Sequence, residues 1–324
     1  VDEDGRVPTS FNVIGTETGR LLSSNPNTQN IPRPPDDPED HNVRDIFGAS
    51  PGNILIETDY SGAELRVLAV MSGDKWLTQV FLDGRDLHSE MAAEQFGPNY
   101  TKNQRVAAKS LNFGIGYGMK EKLLADTITQ KTGIPMTLDE ARAMIETWFK
   151  RCPRAKKFLD ACRQAPVQGR FLETPFGRRR RFPLVTRDAL PHIQNEACNF
   201  PIQSVASDLT LISAMELDEA LDALGVKIIN VVHDSILMEA PNDAVLIERV
   251  VRMVKDKMKE VPIRELNATV PFVVDAKVGV NWGSLSDYEL PEDAEMKAAM
   301  KAAAEAAKRV AEGMEAVSGA LTLV

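Results

Sequence analysis

The stretch VKIINVVHDSILMEA, Val226 to Ala240, constrains this chain more than any other. Two apolar runs rich in β-branched residues are parted by His233 and Asp234 alone. Such runs read as two strands joined in a tight hairpin. The hairpin carries a histidine and an aspartate at its tip, and Ser235 follows directly. NILIETD, Asn53 to Asp59, reads as a further short buried strand, and it too ends at a carboxylate. If these strands share a sheet, Asp59 and Asp234 converge at one end of it.

Helical patterns occupy much of the remaining chain. GAELRVLAVMSGD predicts a helix with Ser61 near its start, and Asp86 to Leu190 is mostly helical. TLDEARAMIETWFKRC has Thr137 as N-cap and Glu140 three residues on, a capping box, with Pro153 just beyond. GRFLETPFGRRRRF reads as a hairpin with a basic tip. PHIQNEACNFPIQSVASDLTLISAMELDEALDAL predicts a long helical stretch, interrupted or kinked near Pro201. DAVLIERVVRMVKDKMKEV is an amphipathic helix, and PFVVDAKVGV after it a strand. The Ala-rich stretch near the C-terminus is a strong intrinsic helix former with little to bury, so an exposed helix is expected there.

Composition narrows the class. Apolar residues make up 43% and charged residues 26% of the 324, an ordinary globular balance. No apolar run is long enough to span a bilayer, and VDEDGRVPTS at the start is no signal peptide. Cys152, Cys162 and Cys198 lack metal-ligand spacing and suit packing in a reducing compartment. The net charge of −9 argues weakly against nucleic acid, but basic residues cluster, with Arg178 to Arg181 consecutive.

Two readings of Asp59 and Asp234 stand side by side. Paired acids at strand ends hold two Mg2+ ions while leaving room for phosphates. Alternatively, both are turn aspartates that satisfy backbone donors. QRVAAKSLNFGIGYGM, Gln104 to Met119, bears on the choice. It spaces Arg105, Lys109, Phe113 and Tyr117 four apart, a single drifting stripe on a helix. Two cations followed by two aromatics are odd for a core face and suit a nucleotide, with cations on the triphosphate and rings against base and sugar. Gly114, Gly116 and Gly118 follow a helix rather than a strand, which weakens a phosphate-loop reading.

At these residues the chain resembles a known family. DYSGAELR (Asp59 to Arg66), RVAAKSLNFGIGYG (Arg105 to Gly118) and VHDS (Val232 to Ser235) resemble motifs A, B and C of family A DNA polymerases, the bacterial polymerase I type. TETGRLLSSNPNTQNIP, GRDLH, FGRRRRF and NFPIQSVASDL are similar to further family landmarks, in the family's order. The resemblance implies a DNA-templated DNA polymerase core. Asp59 and Asp234, with the Tyr60 carbonyl, would bind two Mg2+ ions, which Mn2+ can replace. Arg105 and Lys109 would hold the incoming dNTP, and Lys109 would also protonate the leaving pyrophosphate. His88 would contact the β-phosphate, Phe113 the sugar and base. Tyr117 would stack at the template position. Glu64, hydrogen-bonded to Tyr117, would exclude a 2′-hydroxyl. Arg20, Asn27, Gln29, Asn199 and Gln203 would face primer-template DNA, His233 the primer terminus, and Arg178 and Arg179 the duplex backbone.

The implied fold is α+β: an antiparallel-sheet palm with an inserted, mostly helical fingers domain, a right-hand polymerase fold lacking the thumb. Palm is expected over 1–85 and 191–290, fingers over 86–190, and a helical tail over 291–324. The family's thumb and exonuclease-like domain would precede this stretch, so the expectation is a fragment or a second polypeptide that supplies them; a subunit active only with that partner is the alternative function. No membrane is implied. The expected setting is the cytoplasm of a bacterial or phage-infected cell, with an organelle left open. Four residues depart from the family pattern. Ser235 stands where Glu is usual, which predicts an altered metal optimum. Gly62 and Ala63 replace a Gln and a bulky aliphatic, which predicts a roomier nucleotide pocket. Phe113 in place of Tyr predicts discrimination against dideoxynucleotides.

Overall fold

A computed structural model describes residues 2–3, 5–32, 41–182 and 185–293. The expected tail helix, apart from its first residues, lies outside these. The chain opens with a small hairpin, β1 (Ser10–Asn12) and β2 (Leu22–Ser24), and reaches its first long strand at β3 (Asn53–Tyr60). Seven helices follow: α1 (Ala63–Ser72), α2 (Lys75–Leu82), α3 (Leu87–Phe96), α4 (Lys102–Gly116), α5 (Glu121–Thr132), α6 (Leu138–Arg151) and α7 (Pro153–Val167). A short hairpin, β4 (Leu172–Glu173) and β5 (Arg179–Arg180), leads into α8 (Leu190–Asp222). The chain then returns through β6 (Lys227–Val232), β7 (Ser235–Pro241), α9 (Ala244–Leu266), β8 (Val274–Gly279) and β9 (Ser286–Asp287).

The main sheet has five strands in the order β6-β7-β3-β8-β9, every pair antiparallel. The fold is therefore α+β, with the helices α1 to α7 inserted between the first central strand and its partners. Strand alternation divides the sheet into two faces. Ile56 and Tyr60 of β3, Ile236 and Met238 of β7, and Val274 and Ala276 of β8 join one large apolar cluster with residues of α8 and α9. The opposite face carries Glu57 and Asp59 of β3, with Leu237 and Ser235 on β7 and Lys277 and Asp275 on β8 directly across from them. Tyr60 locks the phase of this alternation, since its buried hydroxyl donates to the Met258 carbonyl at 2.6 Å.

Helix ends follow the sequence signals. Thr101 and Thr137 both form capping boxes, the second as expected from Glu140. Asp74 caps two helices at once. One of its oxygens accepts from Trp76 and Leu77 at the start of α2, and the other from the Arg154 and Ala155 amides at the start of α7. Helix α8 runs unbroken through Pro201, against the expected interruption. Phe200 and Ile202 on either side are both buried, so packing holds the backbone helical despite one missing donor. The three cysteines are buried and unpaired, as packing residues should be.

The N-terminal segment is tied to the sheet by Glu239 of β7. Its carboxylate accepts from Arg6 Nη1, the Ser50 amide and Asn53 Nδ2, each at 2.9 Å. Burial opposes ionisation, but these donors outweigh it and hold the Glu239 pKa down to about 2. A carboxyl depressed on folding stabilises the native state above its unfolded pKa of about 4.3 and loses that contribution as pH falls toward 2. Acid denaturation followed by circular dichroism should therefore show a steeper stability loss below about pH 4 in the wild type than in Glu239→Gln.

Candidate active site

Register places the two sequence-predicted carboxylates together. Asp59 lies directly across from Ser235 of β7, and Asp234 is the second residue of the two-residue turn that precedes Ser235. His233, the first turn residue, has φ 59, a left-handed conformation that histidine tolerates better than most side chains. The Tyr60 amide donates to the Asp234 carbonyl at 3.2 Å, pinning the turn to the end of β3. With the Tyr60 side chain in the core, its carbonyl is what this residue can offer the site. A cavity of about 480 Å3 opens here, lined by Asp59, Asp234, His233 and Ser235 together with Glu57 and Asp275.

The donor set is all oxygen: carboxylates and a main-chain carbonyl. That chemistry suits a hard cation such as Mg2+ or Mn2+ and not zinc or copper. Among the described residues, no three His, Cys, Asp or Glu side chains stand close enough to enclose an ion. A cation held by Asp59 and Asp234 would complete its shell with oxygens from a substrate, as phosphate-handling sites do.

Ser235 is buried where the resemblance leads one to expect a glutamate. Its hydroxyl reaches the Val232 carbonyl at 3.1 Å and Glu57 Oε1 at 3.3 Å. Glu57 also accepts from the Trp282 indole at 3.4 Å. A carboxylate thus stands beside this position from the neighbouring strand. Sequence reasoning missed Glu57 and Asp275. The signal for Glu57 was its position two before Asp59 in a strand, which puts both on one face.

The four-residue stripe of α4 behaves as its composition suggests. Arg105 is half-buried and Lys109 exposed, Phe113 and Tyr117 are each 39% exposed, and Ala107, Ala108, Leu111, Asn112 and Ile115 fill the buried side. Arg105 Nη2 pairs with Asp86 at 2.5 Å, and its Nε meets Ser89 Oγ at 3.0 Å, both at the start of α3. Burial raises the Asp86 carboxyl, yet Ser89, Arg105 and the His88 amide together leave it below its ordinary value. Lys109 has no ion-pair partner among the described residues. His88 packs on Phe113, ring centroids 5.3 Å apart. Burial, aided by Lys109 and Arg105 and opposed by Asp86, lowers the His88 pKa to about 4, so the ring is neutral near pH 7.

At the other end of the stripe, the Tyr117 hydroxyl meets both oxygens of Glu64, at 2.8 and 2.7 Å, and Arg20 Nη2 donates to the same carboxylate at 3.0 Å. Burial raises the Glu64 carboxyl, with Tyr117 and Arg20 acting against it and Asp234 adding to it. Burial, with Glu64, raises the Tyr117 hydroxyl pKa, while Arg20 and Gln203 of α8 act against it. Asn199, one turn before Gln203, shares its half-buried face.

Other expected residues sit differently. Asn27 accepts from the Gln29 and Asn30 amides and from Ser23 Oγ. Gln29 accepts from the Ser23 amide and donates to the Val231 carbonyl, while still lining the cavity. Both therefore spend polar atoms on the chain itself. The basic hairpin tip is corrected: the turn is Thr174 to Gly177, and the arginines lie on the returning side. Arg178 pairs with Asp208 at 2.6 Å, Arg179 with Glu173 at 2.6 Å and Arg180 with Glu196 at 2.9 Å. Gly19, at φ 78, leaves no room for a Cβ, because the Arg178 guanidinium fills that space. Ala63 is 1% exposed within the main apolar cluster.

Glutamate at position 235 would bring a second carboxylate against Glu57 in a buried setting. Ser235→Glu should lose about 1–3 kcal/mol in thermal or denaturant unfolding, and adding Glu57→Gln should recover at least half of the loss.

Three comparisons bear on this arrangement. The family model described as DNA polymerase family A matches residues 1–284. DNA polymerase I, thermostable, of Thermus aquaticus is 37% identical over 290 residues, covering 87% of this chain and 33% of its own length. DNA polymerase I of Chloroflexus aurantiacus is 38% identical over 289 residues, covering 87% of this chain and 29% of its own. This chain thus spans about a third of the curated relatives it matches. Among solved structures, the POL domain of Pol1 from M. smegmatis, in complex with DNA primer-template and dNTP, superposes with a TM-score of 0.76 at 30% identity. That match covers 88% of this chain and 49% of the other. Motifs, register and comparisons agree, and the chain belongs to DNA polymerase family A.

Proposed function

We propose that this chain is the catalytic core of a DNA-templated DNA polymerase, which adds dNMP from a dNTP to a primer 3′-hydroxyl and releases pyrophosphate. One observation carries the reading: Asp59 and Asp234 share one end of the central sheet and line one cavity. The nucleotide-and-primer-bound POL domain that this chain resembles supports the choice of substrates. In this reading the sheet with α8 and α9 is the palm, and the inserted helices are the fingers.

Asp59, Asp234 and the Tyr60 carbonyl would hold two Mg2+ ions, which supply charge neutralisation for the attacking and leaving oxygens. The side chains do the remaining work. Arg105 exchanges its Asp86 partner for phosphate oxygens, and exposed Lys109 binds the triphosphate beside it. Lys109 Nζ delivers a proton to the leaving pyrophosphate oxygen. Neutral His88 donates a hydrogen bond to the β-phosphate. Phe113 packs on sugar and base, and Tyr117 occupies the template position when no base is there. Glu64, fixed by Tyr117 and Arg20, closes the space a 2′-hydroxyl needs. Arg20, Asn199 and Gln203 face the minor groove near the primer end, and His233 faces its terminus. Arg178 and Arg179 contact backbone phosphates by exchanging carboxylate partners, without sequence preference. The proposed setting is a bacterial cytoplasm, in line with the bacterial relatives; no helix among the described residues is long and apolar enough to cross a membrane.

Primer extension on a primed DNA template with Mg2+ and dNTPs tests the reading. Asp59→Asn and Asp234→Asn should each lower the rate by at least about a hundredfold while the fold, read by circular dichroism, is kept. Extension unaffected by either change would refute it. Extension that appears only when a second polypeptide carrying the thumb and exonuclease parts is added would move the reading to a two-chain enzyme.

A further inference from the structure

Asn112 lies inside the helical part, fully buried on α4, and takes no part in the reading above. Its side chain joins three helices. The Trp148 indole of α6, itself fully buried, meets Asn112 Oδ1 at 2.9 Å. Asn112 Nδ2 lies 3.0 Å from His88 Nδ1 and 3.4 Å from the Leu87 carbonyl, both on α3.

The chemistry of the end groups fixes every proton in this chain. An indole N–H only donates, so the atom it meets is the amide oxygen. A backbone carbonyl only accepts, so the atom facing Leu87 is the amide nitrogen. These two constraints are independent, and they assign the same amide orientation. An amide nitrogen has only hydrogens to offer, so His88 Nδ1 must be the acceptor. The imidazole proton is then on Nε2.

We propose that Trp148 and Asn112 are positioning residues that hold His88 as its Nε2–H tautomer, so that the ring presents a donor to a phosphate oxygen of the incoming nucleotide. The proposal rests on the reading of His88 as a nucleotide contact. It explains why a neutral ring can serve among cations: Lys109 and Arg105 supply charge, and His88 supplies one directed hydrogen bond. It also explains why a polar amide is buried among three helices whose buried side chains are mostly apolar.

The test is a long-range 1H–15N correlation spectrum of 15N-histidine-labelled protein near pH 7.5. The chain has four histidines, and His88→Gln identifies the relevant signals. Wild-type His88 should show a pyridine-type Nδ1 and a pyrrole-type Nε2. In Asn112→Asp the carboxylate accepts from both sides, so Nδ1 should become protonated, and the KM for dNTP should rise about tenfold with a much smaller change in kcat. In Asn112→Ala, which keeps the proposal testable if the aspartate variant does not fold, the averaged nitrogen shifts should move toward those of free imidazole. A protonated Nδ1 in the neutral wild-type ring, or a His88 pattern unchanged in both variants, would overturn the relay. Inversion of the tautomer with an unchanged KM, in Asn112→Asp and His88→Gln alike, would leave the relay standing and overturn the assignment of its donor to the nucleotide.

Discussion

The pairing of β3 with β7 on one side and β8 on the other decides where everything else goes. Asp59 sits between Ser235 and Asp275 in that register. A slip of one residue would turn Ile56 and Tyr60 toward the cavity and bury Glu57 and Asp59 against α8 and α9. The burial of large side chains in the cluster behind the sheet makes such a slip costly. The site's carboxylates are thus placed by apolar side chains that point away from it. The left-handed His233 and the Tyr60–Asp234 backbone bond then fix the one carboxylate that lies outside the strands.

Helix α4 solves a different problem, presenting polar and aromatic groups outward while packing closely inward. Its buried side is built from small residues with Leu111 and Ile115, and Ser110 and Asn112 are its polar members. Gly114 belongs to the same economy: a Cβ there would run into Met119. Close packing on this side lets the start of α3 supply Asp86 and Ser89 to Arg105, and His88 to Asn112 and Phe113.

Much of this was legible in the residues. The hairpin at His233-Asp234, the strand ending near Asp59 and the capping box at Thr137 follow from local chemistry that acts within a few residues. The Arg105-to-Tyr117 stripe was readable because helical spacing alone separates it from the core side. Glu57 was readable only through its alternation with Asp59, and Asp275 was not, because an acid on a site-facing strand has the same local pattern as one facing solvent. Asn27 and Gln29 look like free polar groups in sequence, yet their partners, Ser23 and Val231, are fixed only by the fold. The arginine run gave no sign that its carboxylates would come from Glu173, Glu196 and Asp208. Pro201 announces a break only where packing is weak, and here both neighbours are buried.

Helix α4 is fastened at its two ends to different bodies. Arg105 binds it to α3 through Asp86, while Tyr117 binds it to α1 through Glu64. If α4 turned about its Tyr117 end, the Arg105 end would be the far arm of a lever. At 1.5 Å per residue that arm is about 18 Å long, so a turn of roughly 10° about the pivot carries Arg105 about 3 Å. Asp86 and the Asn112–His88 contact tie α3 to that arm, so such a turn would carry His88 and Arg105 together as one jaw. Breaking the Glu64 contact would loosen the hinge pin and leave the jaw intact.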